Sequence, residues 1–233
     1  MNTIQQQSMQ CMTKGRIMKS NRMLALAVAV ACLLPATGWS TVYLNNLDQP
    51  NDYDGHVTLS QWVASRFTTD NSAPAFRLDS LTLGKIYAST PGGNFVVSIY
   101  SCIGTAGNEL PGSLIGNLSG SASPDTQSDY IYTATDITLQ TNKSYWLVTR
   151  VTSGSADYRV GYRYSTANSA PGGWVYPSIH NYAWSYDQGN TWPTSGAMYP
   201  YCYEVEATGI PEPGAAFILG MTFLSAIGAR RLT

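Results

Sequence analysis

The fold is decided by alternating runs such as Tyr158-Arg159-Val160-Gly161-Tyr162-Arg163-Tyr164, in which every second residue is apolar or aromatic. Successive side chains of a β-strand point to opposite faces, so this run predicts a strand with one buried face. A change of parity at Asp79-Ser80 predicts a β-bulge in another strand. Similar runs predict strands over residues 57–68, 76–87, 95–100, 130–139, 144–151 and 198–207.

Turn-forming sequences separate these runs. Examples are Pro91-Gly92-Gly93-Asn94, Pro111-Gly112-Ser113 and Pro171-Gly172-Gly173, and residues 140–143 are predicted to form a hairpin loop. Many short strands with no long segment of helical period predict an all-β domain, a single antiparallel β-sandwich of jelly-roll-like type, over residues 41–209. A signal helix is expected before this domain, and a hydrophobic helix is expected after it.

Composition supports a β-rich domain. The 233-residue chain has 16 Tyr and 6 Trp but only 12% charged residues, and its formal net charge is −1. Aromatic side chains favour strands, and a net charge near zero gives no overall attraction to nucleic acid or to an anionic membrane surface. We therefore expect no nucleic-acid partner.

Residues 1–40 have the pattern of a secretory signal peptide. Basic residues from Lys14 to Arg22 precede an apolar run over residues 23–34, and small residues follow it up to Ser40. Cleavage fits after Gly38 or after Ser40, and we place it after Ser40. Met18 offers a second start, in which case residues 1–17 are not translated.

The C-terminal segment, residues 210–233, contains Pro211-Glu212-Pro213, an apolar run over residues 215–229, and Arg230-Arg231. As a helix the run would rise only about 22 Å, which is short for a bilayer core of about 30 Å. A plain tail anchor is one interpretation. In their order and position, however, these features resemble the PEP-CTERM sorting signal of Gram-negative bacteria that make exopolysaccharide. The resemblance implies an exported precursor held transiently in the inner membrane, cleavage near the motif by the protease-transpeptidase exosortase, and a product at the cell surface or in the extracellular matrix.

The middle of the chain resembles the domains called choice-of-anchor R. The resemblance rests on residues 57–67, 76–87 and 95–100, on the loop containing Gly107 and Pro111-Gly112, and on residues 139–148. It implies a surface β-sandwich and supplies no catalytic residue.

Residues 185–192 fit the Asp-box pattern Ser-x-Asp-x-Gly-x-Thr-Trp, with Ser185, Asp187, Gly189, Thr191 and Trp192 at the defining positions. The pattern predicts a turn in which an Asp side chain accepts backbone hydrogen bonds. Asp boxes also occur in sialidases, but propeller enzymes repeat the unit in each blade and this chain has one copy. We therefore predict a structural turn.

Other residues suggest binding chemistry. Asp52 and Asp54 lie in a loop rich in oxygen ligands, which makes them a weak Ca²⁺ candidate beside the interpretation as a solvated turn; no other metal or cofactor is expected. Cys102 and Cys202 remain after signal removal and are predicted to form a disulfide in an oxidising compartment. Sugar rings stack on aromatic side chains, while core packing competes for the same residues. The candidate sugar-contact residues are Trp174, Tyr176, Tyr182, Trp184 and Trp192.

Three functions remain open from the sequence. The first is a non-enzymatic surface or matrix protein with a structural or adhesive role in exopolysaccharide or biofilm. The second is a carbohydrate-binding module retained in the exopolysaccharide. The third, a glycan-active enzyme, would need paired carboxylates in a cleft, and Glu109, Glu204 and Glu206 are its available acids.

Overall fold

A computed structural model describes residues 39–105, 107–193 and 200–212. The twelve strands named below lie in one compact unit that ends at Ile210. Both predicted terminal helices lie outside the described residues, as do Pro213, Arg230 and Arg231 of the predicted sorting motif. Within the described ranges, no helix has the length and apolar character required to cross a bilayer.

The first sheet has seven antiparallel strands around a long central strand, β4 (Ala75–Thr90), which pairs directly with four of the other six. Its main path runs through β1 (Ser40–Asn45), β12 (Tyr203–Ile210), β4 (Ala75–Thr90), β10 (Asp157–Tyr162) and β2 (Tyr53–Val57), while β7 (Ser128–Thr133) and β8 (Thr138–Gln140) also pair with β4.

The second sheet has five antiparallel strands, and β9 lies at its centre. In order across the sheet they are β11 (Tyr182–Ser185), β3 (Trp62–Thr68), β9 (Ser144–Gly154), β5 (Gly93–Ile103) and β6 (Leu110–Asn117). The all-β prediction with two antiparallel sheets is therefore confirmed.

The main core fills the space between the sheets. Alternate residues such as Phe76 and Leu81 of β4 and Val97 of β5 are fully buried there, as the period of two in these runs requires. Trp174, from the connection between β10 and β11, also inserts into this core and stacks on Phe67 at a centroid distance of 5.5 Å and an interplanar angle of 7°.

A second, smaller cluster covers the opposite face of the five-stranded sheet. It contains Trp146 and Val148 of β9, Ala64 of β3 and Trp192 from the segment after β11. Both faces of β9 are therefore buried, which explains why residues 145–150 read as a continuous run of buried positions rather than an alternating one.

Some local predictions are confirmed and others are wrong. Glu206 pairs with Ser80 and Ala207 pairs with Leu78, so Asp79 is the extra residue of the predicted bulge. Residues 140–143 do not form a hairpin, because β8 pairs with β4 whereas β9 belongs to the other sheet. The run over residues 57–68 divides into β2 and β3 at a turn in which the Thr58 amide donates to the Gln61 carbonyl at 2.9 Å.

Candidate functional site

Two of the five predicted sugar-contact aromatics are unavailable to a ligand. Trp174 and Tyr176 are 1% and 4% exposed because they belong to the main core, so core packing accounts for them and their prediction as sugar contacts is wrong. Trp192 is 8% exposed in the smaller cluster and lines a cavity of about 620 Å³, so its contact with a sugar stays a prediction. Tyr182 and Trp184 remain half-buried at the edge of the sandwich.

Tyr182 and Trp184 belong to a longer row of rings, which we call the aromatic strip: Tyr53, Tyr162, Tyr182 and Trp184. Ring centroids along it are 5.4 Å apart from Tyr53 to Tyr162, then 5.6 Å to Tyr182 and 5.8 Å to Trp184. The interplanar angles are similar, at 43°, 40° and 37°. Neighbouring rings are thus tilted with respect to each other rather than coplanar.

Strand pairing explains why these rings lie in one row. Tyr53 of β2 stands directly opposite Tyr162 of β10, and cross-strand partners have neighbouring side chains. Tyr182 and Trp184 are two residues apart on β11, so they face the same side of their strand. Since β2 and β11 are edge strands of the two different sheets, the strip bridges the sheets at an open side of the sandwich.

The exposed end of the strip lies beside a polar cavity. Tyr53 is 59% exposed and lines a cavity of about 410 Å³ together with Asn51, Asp52, Asp54 and Arg159, and we call this the Tyr53 cavity. Its walls therefore combine one aromatic ring with two carboxylates, an amide and a guanidinium.

Hydrogen bonds fix the loop that carries the cavity residues. The Asp52 amide donates to the Tyr162 carbonyl at 3.1 Å, and the Asp52 Oδ2 accepts from the Tyr164 amide at 2.9 Å. Arg163, which is 6% exposed, donates from Nε to the Pro50 carbonyl at 3.1 Å. The loop is thereby held against β10 before any ligand binds.

Asp54 and Asn51 are held together on this loop. Asn51 Nδ2 donates to Asp54 Oδ1 at 2.6 Å, and the Tyr87 hydroxyl donates to Asp54 Oδ2 at 3.0 Å. The hydrogen bond to Asp54 raises the pKa of Tyr87, because deprotonation would place two negative charges side by side. A Cβ at position 161 would lie 2.9 Å from Asn51 Oδ1, so Gly161 provides the space for the Asn51 side chain.

Arg159 is oriented from its other side by a surface network. Its Nη1 donates to His56 Nε2 at 2.7 Å, and its Nη2 lies 3.4 Å from Asp157 Oδ2. His56 Nδ1 in turn lies 3.1 Å from the same Asp157 oxygen. This arrangement fits the histidine tautomer that carries its proton on Nδ1.

The predicted calcium candidate maps onto the same loop. Asp52 and Asp54 both line the Tyr53 cavity. Three of their four carboxylate oxygens already accept hydrogen bonds from protein donors. Residues 39–105, 107–193 and 200–212 contain no group of three or more His, Cys, Asp or Glu side chains positioned to share a metal ion. Calcium binding here stays a prediction.

The Asp-box residues form the turn that their pattern predicts. Asp187 Oδ1 accepts from the Thr191 amide at 2.9 Å and from the Ser185 hydroxyl at 2.7 Å, while Oδ2 accepts from the Thr191 hydroxyl at 2.7 Å. These bonds favour the ionised carboxylate and lower the pKa of Asp187 to about 2. Gly189 has a φ of +86°, and a Cβ there would lie 2.8 Å from the Trp62 ring.

The structure contradicts the predicted disulfide, since Cys102 and Cys202 are both free. Cys102 lies on β5 and packs against the smaller cluster on the outer face of the five-stranded sheet. Cys202 lies beside the seven-stranded sheet, where its amide donates to the Gly161 carbonyl at 2.9 Å. The two thiols thus belong to different sheets. Burial raises the pKa of Cys102 to about 12 and that of Cys202 to about 11.

The three glutamates weighed for hydrolytic chemistry are separated. Glu109 forms an ion pair with Arg66, a buried side chain of β3. Glu204 and Glu206 lie two residues apart on β12, where Glu206 accepts from the Ser80 hydroxyl at 2.9 Å. Burial, and secondarily the charge of Glu206, raise the pKa of Glu204. None of the three lines the Tyr53 cavity.

Comparisons with known proteins give no functional assignment. No protein-family model and no curated protein matches the chain. The cysteine protease and lectin-like domains of Cwp84, a surface layer associated protein of Clostridium difficile, align with 69% of this chain and 37% of that chain, at 12% identity and a TM-score of 0.40. A structure of infectious bursal disease virus Gx strain aligns with 82% of this chain and 46% of that chain, at 13% identity and a TM-score of 0.21. The chain spans less than half the length of either, and similarity this distant supports no argument.

Sequence reasoning missed half of the aromatic strip. Tyr53 lies between Asp52 and Asp54 in the oxygen-rich loop, and Tyr162 lies in a run whose alternation predicts only a strand. The sequence did contain a signal for Tyr162, because the alternation of Tyr158, Val160 and Tyr162 places it on the inward face of β10. What the sequence lacked was the pairing of β2 with β10, which brings Tyr53 beside Tyr162.

Proposed function

We propose that the chain is an exported, non-enzymatic surface protein with a structural or adhesive role in the exopolysaccharide or biofilm of a Gram-negative bacterium. The observation that carries this proposal is the C-terminal sequence, in which Pro211-Glu212-Pro213, an apolar run and Arg230-Arg231 follow one another. In this proposal exosortase removes the tail and the inner membrane holds only the precursor.

The position of the motif in the fold supports this assignment. β12 ends at Ile210, and the next two residues, Pro211 and Glu212, are exposed. A protease acting between Gly209 and Pro211 would therefore remove at most the last residue of β12, Ile210, and leave the rest of its pairing with β4 in place. In the same proposal the β-rich unit is a jelly-roll-like sandwich, with a signal helix before it and a hydrophobic helix after it.

Mass spectrometry of the mature protein tests the sorting step. Protein extracted from the surface of an exosortase-containing host should lack everything after about Gly209, whereas a host without exosortase should retain the tail. A variant with Glu212→Ala alters the motif outside all twelve strands and should also retain the tail. Recovery of intact Arg230-Arg231 ends in most molecules from the first host would show that the segment is a plain tail anchor.

A carbohydrate-binding module retained in the exopolysaccharide is the second candidate function. The aromatic strip favours it, because four adjacent rings with one highly exposed member offer stacking area beside polar groups. The two candidates are compatible, since a matrix adhesive needs a surface that contacts glycan.

A further inference from the structure

We propose that the Tyr53 cavity and the adjoining aromatic strip form a binding site for a glycan built of neutral sugar units. This inference rests on the carbohydrate-binding candidate above, and it adds the residues of the site and the chemical class of the ligand.

The Tyr53 ring is available for stacking. It is 59% exposed, while its partner Tyr162 supports it from one side at 5.4 Å. A ring held this way presents a rigid apolar face at little cost in conformational entropy when a ligand binds. Sugar rings carry C–H groups on their faces, which pack on aromatic surfaces, and the remaining rings extend the same surface toward β11.

The polar walls of the cavity suit hydroxyl groups. The carboxylates of Asp52 and Asp54 accept hydrogen bonds, whereas the guanidinium of Arg159 donates them. A sugar hydroxyl both donates and accepts, so it can bond to both kinds of group at once. The volume of about 410 Å³ lies within the usual range of ligand sites, roughly 300–1,000 Å³.

The site is also preorganised. The loop residue Asp52 is bonded to β10 through both its amide and its carboxylate, and Asp54 is bonded by Asn51 and Tyr87. Arg159 is held by His56 and Asp157. Binding would therefore not require these groups to become ordered first, which is the main cost of ligand capture by mobile side chains.

Charge decides between classes of glycan. Asp52 and Asp54 place two negative charges on the cavity wall against the single positive charge of Arg159, which Asp157 already accompanies. A uronate carboxylate entering this cavity would meet net repulsion. A cationic amino sugar would meet the positive charge of Arg159, and three of the four oxygens of Asp52 and Asp54 already accept hydrogen bonds from the protein. Neutral units meet neither penalty, so we commit to a neutral glycan.

Isothermal titration calorimetry on the full chain, kept soluble in a detergent without a sugar headgroup, tests the proposal. The probes are neutral hexasaccharides of glucose, galactose and mannose, a chitosan hexamer as the cationic probe, and a polygalacturonate hexamer as the anionic probe. At least one neutral probe should bind at least tenfold more tightly than both charged probes. Replacement of Tyr53 by Ala should weaken this binding about tenfold, which corresponds to about 1.4 kcal/mol.

Matched variants separate the site from the fold. Tyr53→Phe keeps the ring and should bind like the wild type. Ile131→Ala removes a side chain of similar exposure, 63%, from β7 in the seven-stranded sheet and should leave binding unchanged. Arg159→Gln removes the charged donor and should also weaken neutral-glycan binding, which keeps the test decisive if Tyr53→Ala is poorly folded.

Several results would overturn the proposal. Binding unchanged in both Tyr53→Ala and Arg159→Gln would place the ligand elsewhere. Tighter binding of the anionic or cationic probe would overturn the neutral class. Absence of binding by every neutral probe at 10 mM would reject a glycan site here, while the processing of the tail, measured separately by mass spectrometry, would stand or fall independently.

Discussion

Replacement of Trp174 by Ala should destabilise the domain strongly without touching the glycan site. Trp174 is 1% exposed, and its ring lies 5.0 Å from Tyr43, 5.5 Å from Phe67 and 5.1 Å from Phe76, measured between centroids. The indole thus joins a loop to strands of both sheets. Its removal would leave a cavity that a sandwich held by hydrogen-bonded strands can close only in part.

The expected magnitude follows from these contacts. Truncation of a buried Trp to Ala costs about 3–5 kcal/mol, and each aromatic pair can add about 0.5–1.5 kcal/mol beyond area burial. Three such pairs place Trp174→Ala near the top of the range, at about 5 kcal/mol. For a domain of this size that corresponds to a fall in Tm of about 10–20 °C. Trp174→Phe keeps a ring and should lose clearly less, about 1–2 kcal/mol.

Urea and thermal unfolding of the full chain, followed by tryptophan fluorescence and circular dichroism, measure these losses. Tyr186→Ala is the control, because Tyr186 is 65% exposed and its truncation should change stability by no more than about 0.5 kcal/mol. If Trp174→Ala instead abolished glycan binding while its Tm fell by less than about 3 °C, Trp174 would be a ligand contact and its assignment to the core would be wrong.

Two further predictions concern the Asp-box turn and the thiols. The pKa of Asp187 is lowered to about 2, so its ionised form stabilises the fold above the unfolded pKa near 4, and this contribution is lost as the pH falls toward 2. Over that pH window the free energy of unfolding should fall more for the wild type than for Asp187→Asn. Equal slopes for the two proteins would refute this prediction. Mature protein without residues 1–40 should contain two free thiols that label slowly at pH 8, because burial raises the pKa of Cys102 to about 12 and of Cys202 to about 11. A reductant-sensitive Tm would contradict this.

Strand periodicity predicted the class of fold because burial of one face leaves a direct mark on the sequence. This alternation is absent from strands that do not have one buried and one exposed face. Over residues 145–150 both faces of β9 are covered, and in β6 the apparent turn sequence Pro111-Gly112-Ser113 lies inside an edge strand with irregular register. An edge strand tolerates Pro since its amide need not pair.

The site could be predicted only in part. Tyr182 and Trp184 alternate within four residues, which local sequence reveals, and the oxygen-rich loop at Asp52 and Asp54 is also visible locally. The assembly of these residues into one site depends on strands that are far apart in the sequence. Pairing of β2 with β10 brings Tyr53 beside Tyr162, and Tyr162 contacts Tyr182 of the other sheet. Similarly, alternation could not reveal that Cys102 and Cys202 lie on different sheets.

The length of β12 sets the distance between the proposed C-terminal attachment point and the proposed binding site. Tyr201, just before β12, is bridged to Tyr162 of the strip, while the strand ends at Ile210, nine residues later. At about 3.3 Å per residue these points are about 30 Å apart. Ser40, the first residue of β1, pairs with Thr208, so β1 begins beside the end of β12. A protein attached through the C-terminal end that cleavage near Gly209 leaves would therefore carry the strip about 30 Å from its attachment point, where a glycan can reach it. This separation is what an adhesive protein requires, because the attachment and the ligand do not compete for the same surface.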